Sequence, residues 1–271
     1  AHTIPLVGDA AATLRELNEV LTDSGAASPA TPSQWLRDCS AAREEWEAFK
    51  QQRYDQPTLA DPVWGREVMT QPAAIKIATD WARDRGAISF FDAGDVQANG
   101  FQVVEDDHEG QTFTETGASY MGFATSALLA TSMSSKPLYG LALSGDGSFM
   151  MNPQVLIDGV EHGATGCVLL MDNRRMAAIS GLQQAQYGVE HATWDHVPVD
   201  YVQLGGAVQG VRAIFGGTTI EQLHSALGQA WAHDGLSLVH LPVYYGHDPL
   251  GGLGAFGRWN VGSWVEDVQA Q

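Results

Sequence analysis

The pattern of apolar and polar positions changes at residue 70. Beyond that point, short runs of consecutive apolar residues alternate with stretches in which apolar residues recur three or four positions apart. The first pattern predicts buried strands and the second predicts helices. The predicted strands cover residues 87–91, 138–143, 167–171, 211–215 and 238–243, and the predicted helices cover residues 72–85, 117–133, 152–162 and 219–232. Buried strands that alternate with helices predict an α/β fold, in which a doubly wound and mainly parallel sheet carries helices on both faces.

The first 69 residues predict a short helical N-terminal extension. Asp9 is placed to cap a helix that follows it, and a second helical stripe of apolar residues runs from Trp35 to Phe49. Residues 24–33 are rich in Ser, Ala and Pro and predict a linker. Residues 54–66 hold two prolines and a glycine and predict an irregular crossing. We therefore predict an extension at residues 1–69 and a main domain at residues 70–271.

The charge balance excludes some classes of partner. Acidic residues outnumber basic ones by 32 to 14, which gives a formal net charge of −18. A field of that sign repels nucleic acid and anionic membrane surfaces. It also repels a free anionic cofactor, so any phosphate site must be made locally by a cation, backbone amides or a helix end.

The cysteines and the apolar runs indicate where in the cell the protein is expected. Cys39 and Cys167 lie far apart, form no CxxC pair, and offer neither a disulfide framework nor a zinc or iron–sulfur spacing. Cys167 lies in an apolar run and is expected to be a buried free thiol. No apolar run approaches the ~20 residues needed to span a bilayer. We expect a soluble, cytoplasmic protein.

The predicted sheet edge carries a set of oxygen ligands. The loop after residues 138–143 holds Asp146 between two glycines, which allow a sharp turn and a close approach to a ligand, and a helix follows at once. The start of that helix suits a diphosphate. The next strand ends at Asn173, so Asp146 and Asn173 are expected on neighbouring loops at the carboxyl edge. A carboxylate, an amide oxygen, a carbonyl and phosphate oxygens suit magnesium.

These residues resemble a known motif. Gly145-Asp146-Gly147, followed by twenty-four residues and then Asp172-Asn173, is similar to the GDG…NN motif of thiamin-diphosphate-dependent enzymes. The resemblance covers the diphosphate-binding, C-terminal portion of such enzymes. It implies that Asp146 and Asn173 coordinate Mg²⁺ through their side chains and that Arg175 does so through its backbone carbonyl.

The same resemblance implies a cradle for the diphosphate of thiamin diphosphate, made by Gly145, Gly147 and Ser148. One departure is visible, because Asp172 stands where the motif has its first asparagine. That position is not the usual magnesium ligand, so the assignment is unaffected. Neither the GxxxxGK[ST] loop nor the GxGxxG fingerprint is present. A tight turn followed by a structural asparagine is the remaining alternative.

A second segment agrees with the first. Residues 115–123 hold Gly117, Met121 and Gly122 in a pattern that resembles the GxxMGxG stretch of the acetolactate-synthase group. The resemblance implies that Met121 is a wedge that holds the cofactor bent, and that its N–H and the carbonyl of Ser119 contact the aminopyrimidine. Methionine supplies a bulky, adaptable and unreactive side chain for such a role. Without the resemblance, Met121 is read as an ordinary core residue.

A third segment, Gly94-Asp95-Val96-Gln97, follows the predicted strand at residues 87–91. It is similar to the GDLQ-type loop of trihydroxycyclohexanedione hydrolase, and this similarity implies cofactor contacts from Asp95 and Gln97. A carboxylate is a poor ligand for another anion, so contact through the backbone or through Gln97 is expected. A simple polar turn is the alternative. The tail at residues 245–265 has a looser similarity to the same hydrolase.

The resemblance also implies a missing component. In this superfamily a separate pyrimidine domain supplies the glutamate that activates the cofactor, and residues 1–69 are too few and too helical to form that domain. They resemble at most the closing strand and helix of a middle domain. We therefore predict a heterodimer or heterotetramer in which a second subunit carries the pyrimidine domain. An excised fragment of a longer chain is the alternative.

The implied chemistry makes or breaks a C–C bond next to a 2-oxo group. An acetolactate synthase-like (carboligase, transferase) or cyclic dione hydrolase-like (lyase-type) activity is favoured, with a 2-oxo-acid decarboxylase subunit second. A non-catalytic scaffold relative and a flavoprotein of similar architecture are further alternatives. The substrate is not predictable, although Gln97, Asn99, Gln183 and Gln186 are polar residues near the predicted site.

Overall fold

The computed structural model describes residues 3–25 and 33–246. The chain divides into two compact units, Ala1–Phe49 and Lys50–Gln271. The predicted domain division between residues 69 and 70 stays a prediction. Most of the predicted linker at residues 24–33 and nearly all of the tail at residues 245–265 lie outside the described residues.

The N-terminal unit is helical, as predicted. Helix α1 spans Ala10–Asp23, and the Asp9 side chain caps it by accepting a hydrogen bond from the backbone N–H of Ala12 at 2.8 Å. Helix α2 spans Gln34–Asp55, so its last residues belong to the second unit. It includes the predicted stripe, although Trp35 at its start is 73% exposed.

A short antiparallel hairpin occupies part of the region predicted to be an irregular crossing, so that prediction was wrong. Strand β1 (Thr58–Asp61) pairs with strand β2 (Arg66–Met69). The turn is stabilised by the Asp61 carboxylate, which accepts hydrogen bonds from the N–H groups of Val63 and Trp64. Pro62 and Gly65 lie within this turn, and the other proline of the region, Pro57, directly precedes β1.

The second unit is built on a six-stranded parallel sheet, which confirms the predicted α/β fold. The strands are β3 (Ile88–Phe91), β4 (Thr112–Thr114), β5 (Gly140–Gly145), β6 (Gly166–Asp172), β7 (Arg212–Phe215) and β8 (Leu236–Pro242). Their order across the sheet is β4-β3-β5-β6-β8-β7, and every neighbouring pair is parallel. Strands β3, β5 and β6 are therefore adjacent, and their carboxyl ends meet at one edge.

Helices cover both faces of this sheet. They are α3 (Gln71–Arg83), α4 (Asp95–Val103), α5 (Phe123–Ala127), α6 (Ala130–Met133), α7 (Asp146–Phe149), α8 (Val155–Glu161), α9 (Ala177–Tyr187), α10 (Tyr201–Gly206) and α11 (Ile220–Trp231). On one face, Leu128, Leu156 and Tyr201 pack with alternate residues of the strands, such as Val168 and Leu170. Helices α3 and α11 contact each other and the sheet. No helix among the described residues has the length and apolar character needed to cross a bilayer.

Two predictions near the sheet edge needed correction. The helix predicted at residues 117–133 is shorter and divided, because residues 117–120 form a loop and helix begins only at Phe123 (α5) and again at Ala130 (α6). Gly122 adopts φ +92°, a left-handed conformation that turns the chain into α5. The segment predicted as a loop after β3 becomes helix α4 at Asp95.

The prediction for Cys167 is confirmed, because this thiol is free and fully buried in β6.

Candidate functional site

A cavity of about 270 Å³ lies beyond the carboxyl ends of β3, β5 and β6. Its lining comes from the segments that follow these strands, from the loop before α5, from the start of α3 and from α9. This is the edge at which parallel α/β sheets bind ligands. The lining residues are Gln71, Ala93, Gly94, Asp95, Val96, Ser119, Met121, Gly145, Asp146, Gly147, Ser148, Asn173, Arg175, Met176, Ala177, Ala178, Ile179, Leu182 and Asp195.

The cavity brings together almost all of the predicted site residues. Asp95, Ser119, Met121, Gly145, Asp146, Gly147, Ser148, Asn173 and Arg175 all line it. Gln97 is the one that does not. The convergence of these segments was predicted from the sequence, whereas the ligand role of each residue stays a prediction.

Gln97 lies behind the cavity wall. Its Oε1 accepts a hydrogen bond from Ser119 Oγ at 2.8 Å, and its Nε2 donates to Thr114 Oγ1 and to the carbonyl of Glu115. Ser119 has φ +50°, an uncommon conformation for a residue other than glycine. Gln97 therefore positions the loop that carries Ser119 and Met121.

Asp92 joins three of the segments around the cavity. It is fully buried at the end of β3, and its Oδ1 accepts hydrogen bonds from the N–H groups of Gly122 at 2.8 Å and Ala93 at 3.0 Å. Its Oδ2 accepts from Ser144 Oγ of β5 at 2.8 Å. Burial raises the pKa of the Asp92 carboxyl, and these hydrogen bonds oppose the increase. Sequence reasoning missed this residue, although an acidic residue directly after a buried strand was a usable signal.

Met121 and Gly147 meet inside the cavity. A Cβ atom added to Gly147 would lie 3.3 Å from Met121 Cε, which is closer than ordinary contact. Glycine at this position therefore gives the methionine side chain its space. The geometry fits a methionine that shapes the cavity beside the loop that begins α7. Helix α7 is a single turn, so this loop offers backbone N–H groups with little helix dipole.

Acidic groups concentrate at the end of β5 and β6. Burial raises the pKa of Asp146 well above its usual range, and the nearby charge of Asp172 raises it further. Asp172 Oδ2 forms a 2.9 Å hydrogen bond with His240 Nε2 of β8, and both side chains are buried. A divalent cation between Asp146 and Asn173 would relieve the cost of this buried charge.

The residues after β6 form a tight turn. Asn173 Oδ1 accepts a hydrogen bond from the N–H of Arg175 at 3.2 Å, and Arg174 adopts φ +56°. The N–H of Asp195 donates to the carbonyl of Arg174 at 2.8 Å, which brings this third carboxylate to the cavity wall. The turn leaves Arg175 buried, with its guanidinium 4.9 Å from the centre of the Tyr245 ring.

Asp95 begins α4 on another wall of the cavity. Burial raises the pKa of its carboxyl to about 7, although the charge of Arg175 acts in the opposite direction. Gly94, which precedes it, has φ +72° and lets the chain turn sharply between β3 and α4.

The donor set fits a magnesium–diphosphate complex. Asp146 and Asn173 offer a carboxylate and an amide oxygen on adjacent loops, and these are ligands that Mg²⁺ prefers. Across residues 3–25 and 33–246, no group of three or more His, Cys, Asp or Glu side chains could hold a metal. The predicted ligand set is of a different kind, since it combines one carboxylate with an amide, a backbone carbonyl and ligand phosphate oxygens.

Other polar residues noted in the sequence lie elsewhere. Asn99 is buried and donates to Gln71 Oε1 at 2.7 Å, so it supports a lining residue. Gln183 accepts a hydrogen bond from the N–H of His191, and Gln186 is exposed. Sequence reasoning missed Gln71, Asp195 and the apolar wall from α9, because these join the site only through the tertiary fold.

Comparison with known proteins identifies the class of this fold and site. Residues 92–241 match the family described as "Thiamine pyrophosphate enzyme, C-terminal TPP binding domain". The chain therefore belongs to the thiamine pyrophosphate enzyme family, which confirms the family predicted from the sequence. The matched residues include the segments that follow β3, β5 and β6.

Individual relatives agree with the predicted group. The chain is 27% identical over 206 residues to the acetolactate synthase isozyme 3 large subunit of Escherichia coli, covering 75% of this chain and 34% of that protein. It is 28% identical over 284 residues to the 3D-(3,5/4)-trihydroxycyclohexane-1,2-dione hydrolase of Listeria monocytogenes, covering 95% of this chain and 42% of that protein. The chain thus spans less than half the length of these curated relatives.

A solved structure shares the fold. Benzoylformate decarboxylase from Polynucleobacter necessarius superposes with a TM-score of 0.59 at 16% sequence identity, covering 67% of this chain and 34% of that one. This likeness shows the architecture of the domain.

Proposed function

We propose that this chain is the diphosphate-binding subunit of a Mg²⁺- and thiamin-diphosphate-dependent enzyme that makes or breaks a C–C bond next to a 2-oxo group. The observation that carries the proposal is the convergence of Asp146, Asn173 and Met121 on one cavity at the carboxyl edge of the sheet. Asp146 and Asn173 supply metal ligands, and the Met121 side chain shapes the cavity.

Each residue has a specific task in this proposal. Bound thiamin diphosphate supplies the carbanion stabilisation that the reaction needs. Asp146, Asn173 and the carbonyl of Arg175 hold the magnesium ion. The backbone of Gly145, Gly147 and Ser148 holds the diphosphate.

Met121 and Ser119 would hold the pyrimidine end of the cofactor. The Met121 side chain would pack against it, and the Met121 N–H and the Ser119 carbonyl would bind its edge. Asp92 and Gln97 do not touch the cofactor, and they position Met121 and Ser119 through the hydrogen bonds to Gly122 and Ser119.

A second subunit completes the enzyme in this proposal. It carries the pyrimidine domain and the activating glutamate, and it forms a heterodimer or heterotetramer with this chain. This part of the proposal rests on the family resemblance, in which a separate pyrimidine domain supplies the activating glutamate.

The relatives favour two reaction types, an acetolactate synthase-like carboligation and a cyclic dione hydrolysis. Both names come from proteins to which this chain is similar over most of its length. A 2-oxo-acid decarboxylation uses the same cofactor and the same loops, so the assay must include all three products.

Calorimetry of the purified chain with thiamin diphosphate tests the proposal, first in EDTA and then with Mg²⁺. We expect binding that depends on Mg²⁺, and a loss of at least about 100-fold in Asp146→Ala, since a metal ligand is removed. Asp158→Asn, an exposed residue of α8, is the control and should bind like the parent chain.

The same titration should be repeated with the co-purified product of the neighbouring gene, followed by identification of the bound cofactor and assay of the three products. No Mg²⁺-dependent binding in either setting would contradict the proposal and favour a non-catalytic scaffold. Full turnover by this chain alone would contradict the proposal that a second subunit is required.

A further inference from the structure

The guanidinium of Arg175 is buried without enough partners. The residue is only 8% exposed, and its Nε and Nη1 atoms have no hydrogen-bond partner among the described residues. One face of the group lies against the Tyr245 ring. A buried charged donor without an acceptor is unfavourable unless a ligand completes it.

The surroundings make this cation unusual. Three acidic residues, Asp95, Asp146 and Asp195, line the same cavity, and Arg175 is the one basic residue in the lining described here. Asp95 Oδ1 is also buried without a partner, so Arg175 and Asp95 do not satisfy each other at these atoms. An anion that enters this cavity meets carboxylates on several walls and a single guanidinium.

We propose that the Arg175 side chain is an oxyanion receptor, in which Nε and Nη1 donate to a phosphate or carboxylate oxygen of the molecule bound in the cavity. This inference rests on the proposed function for the identity of the cavity. A guanidinium suits the task because it keeps its charge when buried and presents fixed donors to oxyanions. Arg175 thus contributes its side chain in addition to the backbone carbonyl that the motif implies.

Two molecules can supply the oxyanion. One is the diphosphate of the cofactor, and the other is the carboxylate of a 2-oxo acid. If Arg175 binds a substrate carboxylate, the enzyme acts on a 2-oxo acid and not on an uncharged cyclic dione. Inorganic pyrophosphate with Mg²⁺ and pyruvate are matched probes for the two sources, and neither requires the pyrimidine domain.

The full-length chain and its variants Arg175→Met and Arg175→Lys are titrated with Mg²⁺–pyrophosphate by calorimetry and with pyruvate by saturation-transfer NMR. Arg85→Met is the control, since Arg85 also stacks on an aromatic ring, Trp81, but lies outside the cavity lining. We expect Arg175→Met to weaken one of the probes by about 10- to 100-fold, which is the effect of losing charged hydrogen bonds. Arg175→Lys should lose less, and Arg85→Met should match the parent.

The probe that weakens identifies the source. Diacetyl, an uncharged analogue of pyruvate, should bind equally to the parent chain and to Arg175→Met. Unchanged affinity of Arg175→Met for both probes would overturn the proposal, and so would a parent chain that binds neither probe. Failure of thiamin diphosphate to bind the parent chain, both alone and with the co-purified partner, would contradict the proposed function instead, since the two probes report on Arg175 independently of the cofactor.

Asp95→Asn provides a second test, which can be used even if Arg175→Met does not fold. Above pH 8, where the Asp95 carboxyl is ionised despite its raised pKa of about 7, removing this negative charge should strengthen binding of the same probe several-fold, because the anion then meets less repulsion. Unchanged or weaker binding by this variant would count against the proposal.

Discussion

The carboxylate of Asp92 accepts a hydrogen bond from the backbone N–H of Gly122 at 2.8 Å, across 30 residues of sequence. This contact attaches the end of β3 to the segment that carries Met121. A second hydrogen bond, from Ser144 Oγ, attaches the same carboxylate to β5. A residue that contacts no ligand in the proposed site thus fixes the distance between two of the cavity walls.

Asp92→Ala should destabilise the chain by about 2–4 kcal/mol, because it leaves the Gly122 N–H and the Ser144 hydroxyl buried without their acceptor. Asp92→Asn should cost much less, since its oxygen can still accept from Gly122 and its amide can donate to Ser144. Urea unfolding of the three proteins checks the order. Equal losses for the two variants would show that the negative charge, and not the hydrogen bonding, is what matters.

Gly147→Ala should leave stability within about 1 kcal/mol, since the atom it meets is the flexible end of Met121. It should weaken thiamin diphosphate binding by about 10-fold, because the displaced methionine narrows the cavity. Gly228→Ala is a matched control in α11, where an added Cβ meets nothing within 4 Å. That control should gain about 0.5–1 kcal/mol of stability without any change in binding, since alanine is the better helix former.

The titration of Asp95 should give the stability of the chain a dependence on pH. Burial raises the folded-state pKa to about 7, above the ordinary value of 3.8, so the folded state holds the proton more tightly than the unfolded state. Stability should therefore fall as the pH rises from 4 to beyond 7, and it should recover on acidification. The difference in unfolding free energy between the parent chain and Asp95→Asn should change by on the order of 2 kcal/mol between pH 5 and pH 8. A difference that is constant over this range would show that Asp95 ionises normally.

His240→Phe should destabilise the chain by about 2–3 kcal/mol, because Oδ2 of the buried Asp172 carboxylate loses its hydrogen-bond partner beside Asp146, while Oδ1 still accepts from the N–H of Arg174. Phenylalanine keeps the aromatic contacts that the His240 ring makes with Tyr201 and Phe215. Adding Asp172→Asn, which restores the asparagine of the family motif, should recover most of the loss. A double-mutant cycle by denaturant unfolding measures the coupling. Additive losses would show that the pair does not interact.

Burial explains why some strands were predicted and one was missed, although β7 was predicted with only one buried position. Strands β5, β6 and β8 are buried almost throughout, so their apolar runs were visible in the sequence. Strand β4 has only three residues and no buried position, so it left no such signal. The helix predicted at residues 117–133 was too long because its small residues fit a helix or a loop equally well, and the φ of Gly122 is set by its surroundings.

Some residues of the candidate site were predictable from the sequence and others were not. Asp146 and Asn173 were predictable because each directly follows a strand and the two match a motif of known spacing, whereas Asp92 directly follows β3 but belongs to no such motif. Asp92 and Gln97 act through partners that are 17 to 52 residues away, and no local pattern specifies such contacts. The absence of acceptors for Nε and Nη1 of Arg175 among the described residues also depends on the tertiary fold, since such acceptors would have to come from neighbouring loops.

The three parallel strands beneath the cavity are neighbours in space, but each returns to the sheet through its own crossover. A molecule seated above them can be held only after all three have been placed, so its affinity belongs to the finished domain alone. Saturating concentrations should raise the melting temperature steadily with the logarithm of free ligand. Because proteases attack the unfolded state, ligand-bound copies would also be cleaved more slowly than empty ones.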